Sequence, residues 1–187
     1  KYEKILKYNA YQIRQTGSPY GYVSMGSTII CTIETYISVG GMSSKNATED
    51  FYFLQKIAKY TRLDIIDEIL VYPSSRAEQR IYLGTGYRMK NIINNISFNE
   101  IKISKRAIYS LRLLYQIIDQ YIDKPTYVIE KRINEQDHEL WNFLNQNNIL
   151  DVIHKIQKSS KTKNQLIKQF NKWFDNLKIY QLCKELI

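Results

Sequence analysis

Apolar positions recur every three or four residues through the second half of the chain, and in short β-branched runs through the first. Ile108, Leu111, Tyr115, Ile118 and Ile122 share one face if Lys105 to Tyr121 is a helix, with Ser104 placed to cap it. Asp123-Lys124-Pro125 then breaks that helix. Gln136 to Leu144 and Ile149 to Lys158 read as shorter helices. Leu166, Phe170, Trp173, Leu177 and Tyr180 form one stripe on a final helix from about Thr162 to Leu186.

The first half has a different texture. Thr28-Ile29-Ile30-Cys31-Thr32-Ile33 has the continuous apolar, β-branched character of a buried strand. Glu34 to Val39 suits a short helix stopped by Gly40-Gly41, residues that accept a left-handed cap. A second helix is expected from Thr48, as N-cap, to Tyr60, with Phe51, Leu54, Ile57 and Ala58 on one face. Ile65-Ile66 and Ile69 to Tyr72 read as one strand or two, ended by Pro73, and Ser74 to Gly86 as a loop.

All seven glycines and two of the three prolines precede residue 101. That shift divides the chain into residues 1–98 and 99–187. The expected fold is α+β and predominantly helical: a few strands of a partial sheet, then an all-helical C-terminal region.

Charge and cysteine usage narrow the classes. The formal net charge is +9. Residues 1–100 hold twelve bases and nine acids, and residues 101–187 hold fifteen and nine, so the excess lies mainly in the helical half. Cys31 and Cys183 lie far apart among apolar residues and read as buried thiols. His138 and His154 have no cysteine near them, which argues against structural zinc. No apolar run approaches the roughly 20 residues of a membrane span, and Lys1 to Tyr11 is too charged for a signal peptide. The expected compartment is the cytoplasm, at the inner face of the membrane if the protein associates with one.

Glu49-Asp50 is the first candidate for chemistry. Adjacent carboxylates in the first turn of a helix complement its partial positive charge, and alone they signify no more than that. A general base needs, in addition, a rigid mount within reach of the hydroxyl it deprotonates. A helix start supplies the mount, and Gly40-Gly41 upstream leaves room for a ligand beside the backbone.

The ordered set resembles family 2 glycosyltransferases. It runs from Gly26-Ser27-Thr28-Ile29-Ile30-Cys31 through Glu34 to Met42 and on to Ala47-Thr48-Glu49-Asp50-Phe51. Tyr72-Pro73-Ser74-Ser75-Arg76, Arg80 and Gly84-Thr85-Gly86 are similar to a bacterial subgroup of that family, and Phe170 to Leu182 more loosely so. The resemblance implies a GT-A sheet segment and an inverting transfer of sugar from a nucleotide-sugar donor to a saccharide or lipid-linked acceptor. It makes Asp50 the general base, with Glu49 orienting it or touching the sugars. Gly40, Gly41 and Met42 would line the sugar pocket, and Arg76 and Arg80 would meet the diphosphate.

One departure matters. The family's nucleotide-binding half, with its Asp-x-Asp motif for a divalent metal (Mg²⁺ or Mn²⁺), has no counterpart before Gly26, and Asp64 to Asp67 lies on the wrong side of the acidic pair. The chain is therefore expected to be the acceptor-side, C-terminal portion of a transferase, partnered by that missing half and inactive without it. It should bind no metal of its own.

A second class is a basic helical module for nucleic acid, using Lys155, Lys158, Lys161, Lys163 and Lys168. No aromatic-basic ladder accompanies those lysines, so nucleic acid is not the expected partner. A third reading is peripheral association with a membrane surface.

Overall fold

A computed structural model describes residues 2–24, 28–44, 48–66, 68, 70–72 and 102–186. Every regular element among the described residues is an α-helix. The expected GT-A sheet segment is therefore corrected. Thr28 to Thr32 belongs to no regular element and pairs with no strand among the described residues, and Ile30 is 73% exposed. Thr32 explains why the run stops there: its hydroxyl accepts the Thr35 N–H at 3.2 Å and caps a helix, which takes Ile33 out of extended geometry. Ile65-Ile66 and Leu70-Val71-Tyr72 likewise lie outside any ladder and expose their side chains.

The chain forms two compact units. The first comprises residues 1–10 and 22–102, the second residues 11–21 and 103–187. A helix that periodicity did not signal, α1 (Tyr2–Arg14), gives residues to both. The first unit also holds α2 (Ile33–Ser38) and α3 (Glu49–Tyr60). Phe53, Leu54, Gln55 and Ile57 are the buried residues of α3, so its inner face is rotated from the expected stripe, and Phe51 is only half-buried.

The second unit is a helical bundle of α4 (Lys105–Tyr121), α5 (Thr126–Gln136), α6 (His138–Gln146), α7 (Ile149–Ser159), α8 (Lys163–Trp173) and α9 (Asn176–Glu185). Ser104 caps α4 by accepting the Ala107 N–H at 3.0 Å, and donates its own hydroxyl to the Leu186 carbonyl at 2.7 Å. The stripe read from periodicity is buried from Ile108 to Ile122. Each such side chain contributes about 1.5–3 kcal/mol on removal from water.

The single final helix expected from Thr162 to Leu186 is two. Phe174 leaves helical geometry, and Asp175 starts α9 by accepting the Lys178 N–H at 3.3 Å. The break changes the buried face. Leu166 and Phe170 point inward on α8, but Ile179, Leu182, Cys183 and Leu186 replace Leu177 and Tyr180 as the inner residues beyond it. Phe170 and Phe174 stack at 5.7 Å, and Tyr115 meets both edge-on.

Residues 15–21 form a hook on this unit. Gly17 turns it at φ +91°, and Tyr20, 1% exposed, donates its hydroxyl to the Asn171 carbonyl at 2.6 Å. Tyr115 donates to the Ser18 hydroxyl at 3.0 Å. Burial, with Asp175 nearby, raises both tyrosine pKa values above the ordinary range.

Candidate functional site

Glu49 and Asp50 occupy the first turn of α3, as expected, and both are half-buried. The Asp50 Oδ1 accepts the neighbouring Phe51 N–H at 2.7 Å. Thr48 does not cap as expected. It sits in left-handed geometry at φ +64°, not in the extended geometry of an ordinary N-cap, and makes no side-chain capping bond.

The paired glycines end α2 by a Schellman arrangement. The Gly40 N–H donates to the Ile37 carbonyl and the Gly41 N–H to the Tyr36 carbonyl, both at 2.9 Å, with φ values of +72° and +65°. Their N–H groups are thus spent within the turn, so any ligand here would meet the flat face of the turn rather than its donors. Met42 follows, 40% exposed.

Tyr36 ties the two parts of the site together, and sequence reasoning did not single it out. Its ring lies 5.5 Å from that of Phe53, one turn beyond Asp50 on α3, and a Cβ on Gly41 would stand 3.1 Å from its atoms. The glycine turn and the acid-bearing helix are therefore held against one aromatic ring. The signal was available: Tyr36 sits five residues before Gly41, where the end of a helix folds back over the turn. Arg76 and Arg80, like Gly84-Thr85-Gly86, lie outside the described residues.

A second polar cluster belongs to the helical unit. Asp137, its side chain fully buried, caps α6 by accepting the Leu140 N–H at 3.0 Å. It also accepts from the Arg106 Nη1 and the Ser110 hydroxyl, each at 2.6 Å. Burial alone would push the Asp137 carboxyl up, but Arg106, Ser110 and the Leu140 N–H outweigh it and hold the group below the usual range. Every lone pair is engaged within the fold, which is the arrangement of a structural tie.

Cys31 is exposed, not buried as its neighbours suggested, because the run carrying it joins no sheet among the described residues. Cys183 is buried, and burial pushes its thiol up to about 12. Among the described residues no three His, Cys, Asp or Glu side chains gather to hold a metal, and no helix is long and apolar enough to cross a membrane. No protein family, curated protein or solved structure matches the chain.

Proposed function

We propose that the chain is the acceptor-side portion of an inverting glycosyltransferase, with Asp50 as general base toward the acceptor hydroxyl. The observation that carries this reading is the order of parts: a helix closed by Gly40-Gly41, then Glu49-Asp50 opening a helix that Tyr36 holds beside that turn. In this reading the Asp50 carboxylate takes the acceptor proton as the acceptor oxygen attacks the anomeric carbon, and the nucleotide diphosphate leaves on the opposite side. Glu49 orients Asp50 or touches the acceptor or donor sugar, and Met42, with Gly40 and Gly41, lines the sugar site. Arg76 and Arg80 meet the diphosphate.

The exposure of Ile30, Ile33 and Ile37, at 73%, 75% and 69%, also favours a partner for this surface. Apolar side chains left so open around one short helix suit a surface that another segment covers. That segment would be the nucleotide-binding half, which would also hold the Mg²⁺ or Mn²⁺ ion.

The test supplies that half and measures sugar transfer. Asp50→Asn should abolish turnover while donor binding and the protection of α3 amides from exchange stay near wild type. Near-normal turnover in this variant would remove Asp50 from the role.

A further inference from the structure

Between Asp151 and Asp175 the chain carries Lys155, Lys158, Lys161, Lys163, Lys168 and Lys172 and no carboxylate. These residues span α7, the connection 160–162 and α8, two helices that pack together. Burial of Ile149, Ile153 and Ile156 turns Lys155 and Lys158 outward on α7. Burial of Leu166 and Phe170 does the same for Lys168 and Lys172, four residues apart on α8. All six are exposed, and none makes an ion pair among the described residues. Elsewhere in the same unit acids are interspersed among the cations, and some pair with them: Arg106 with Asp137 and Glu139, Lys124 with Asp123, Lys131 with Glu135.

A solvated lysine face in a folded domain is ordinarily interspersed with acids, which limits self-repulsion. An acid-free stretch of six does the opposite and concentrates positive potential on one helix pair. The residue types favour a diffuse anionic surface over nucleic acid. The stretch contains no arginine, the residue that reads phosphate and base edges bidentately. Its aromatic rings also offer little to stack a base: Phe170 and Phe174 are fully buried, and Trp173 is half-buried with Lys178 over its ring. Lysine ammonium groups on flexible stems are point charges suited to a layer of lipid phosphates.

We propose that the α7–α8 pair is an electrostatic docking face for a membrane leaflet rich in anionic phospholipid. Binding is peripheral, each lysine near the surface strengthening it about fivefold.

The test is co-sedimentation of the full chain with vesicles. Vesicles holding roughly 30 mol% phosphatidylglycerol should retain the protein at low salt and release it near roughly 0.5 M salt, while pure phosphatidylcholine should retain little. The variant Lys155→Gln/Lys158→Gln/Lys168→Gln/Lys172→Gln should lose binding by at least about a hundredfold. The equal-charge control Lys4→Gln/Lys56→Gln/Lys105→Gln/Lys131→Gln should keep most of it, and both should retain wild-type circular dichroism. Equal losses in the two variants would reduce the effect to net charge and overturn the assignment. So would absence of binding to the anionic vesicles, or tighter binding to an arbitrary DNA duplex at the same ionic strength.

Discussion

Arg106 on α4 holds both carboxylate oxygens of Asp137, the residue that starts α6, so one ion pair joins two helices and caps one of them. Arg106 is 40% exposed while the Asp137 side chain is fully buried. Solvent therefore screens one partner, and the pair is weaker than a fully buried one. Removing the carboxylate still strands the Leu140 N–H and leaves the Ser110 hydroxyl only the more distant Arg106 carbonyl as acceptor, at 3.2 Å.

Asp137→Ala should accordingly destabilise the helical unit by about 2–3 kcal/mol. The protein's two tryptophans, Trp141 and Trp173, both lie in this unit, so their fluorescence during denaturant unfolding reports it. The folded carboxyl titrates below its unfolded value of about 3.9, so its contribution is full above that pH and is lost as pH falls through the lower folded value. Asp137→Asn should flatten the loss of stability between about pH 5 and pH 2. Parallel curves for wild type and variant would show that other carboxylates govern the acid response.

The two thiols should separate cleanly. Cys31 is exposed, so one equivalent of an aromatic disulfide reagent should react at once in native protein. Cys183 lies buried with its thiol pushed up to about 12 and should react only as the bundle opens. Two fast equivalents would contradict its placement, and Cys31→Ser should abolish the fast phase.

Helical periodicity was the most legible feature of the chain because it records burial directly. The stripe from Ile108 to Ile122 needed no tertiary knowledge, since a 17-residue amphipathic helix has one way to bury it. The same logic failed at Leu177 because periodicity carries no warning of a break: the capping carboxylate of Asp175 restarts the helix in a new phase. Thr28 to Ile33 misled for a related reason. A β-branched run predicts a strand only if a partner strand is there to pair with it, and that lies beyond local sequence. At the candidate site, the positions of Glu49-Asp50 and the glycine turn were legible from helix start and stop signals. Tyr36 was not, because its importance comes from touching two segments at once.

The hook of residues 15–21 should be intolerant at Gly21 and only sensitive at Tyr20. A Cβ on Gly21 would fall 2.6 Å from the Arg14 Cα, and backbone cannot step aside as a side chain can. Gly21→Ala should therefore displace the hook and cost more than about 2 kcal/mol, whereas Tyr20→Phe forfeits one hydrogen bond to Asn171, about 1 kcal/mol. Tryptophan-detected unfolding ranks the two, and a Tyr20→Phe cost above that of Gly21→Ala would reverse the argument.

The paired glycines allow a finer test, because they share a backbone conformation but not a neighbourhood. Both have positive φ, so alanine at either position carries the left-handed penalty of about 1–2 kcal/mol. Gly40 has nothing within 4 Å of where its Cβ would stand, and the penalty ends there. At Gly41 the new methyl would meet the Tyr36 ring at 3.1 Å and push it along its contact with Phe53. Gly41→Ala should therefore weaken exchange protection of α3 amides by more than Gly40→Ala, by a further ~1 kcal/mol. Amide exchange is the right measurement, since neither tryptophan lies in this unit. Adding Tyr36→Ala to each alanine variant should then bring the two to the same protection, because it removes the ring that the Gly41 methyl meets first. If a difference between the Gly40 and Gly41 variants survives without the Tyr36 ring, the turn and α3 are coupled through something other than that ring.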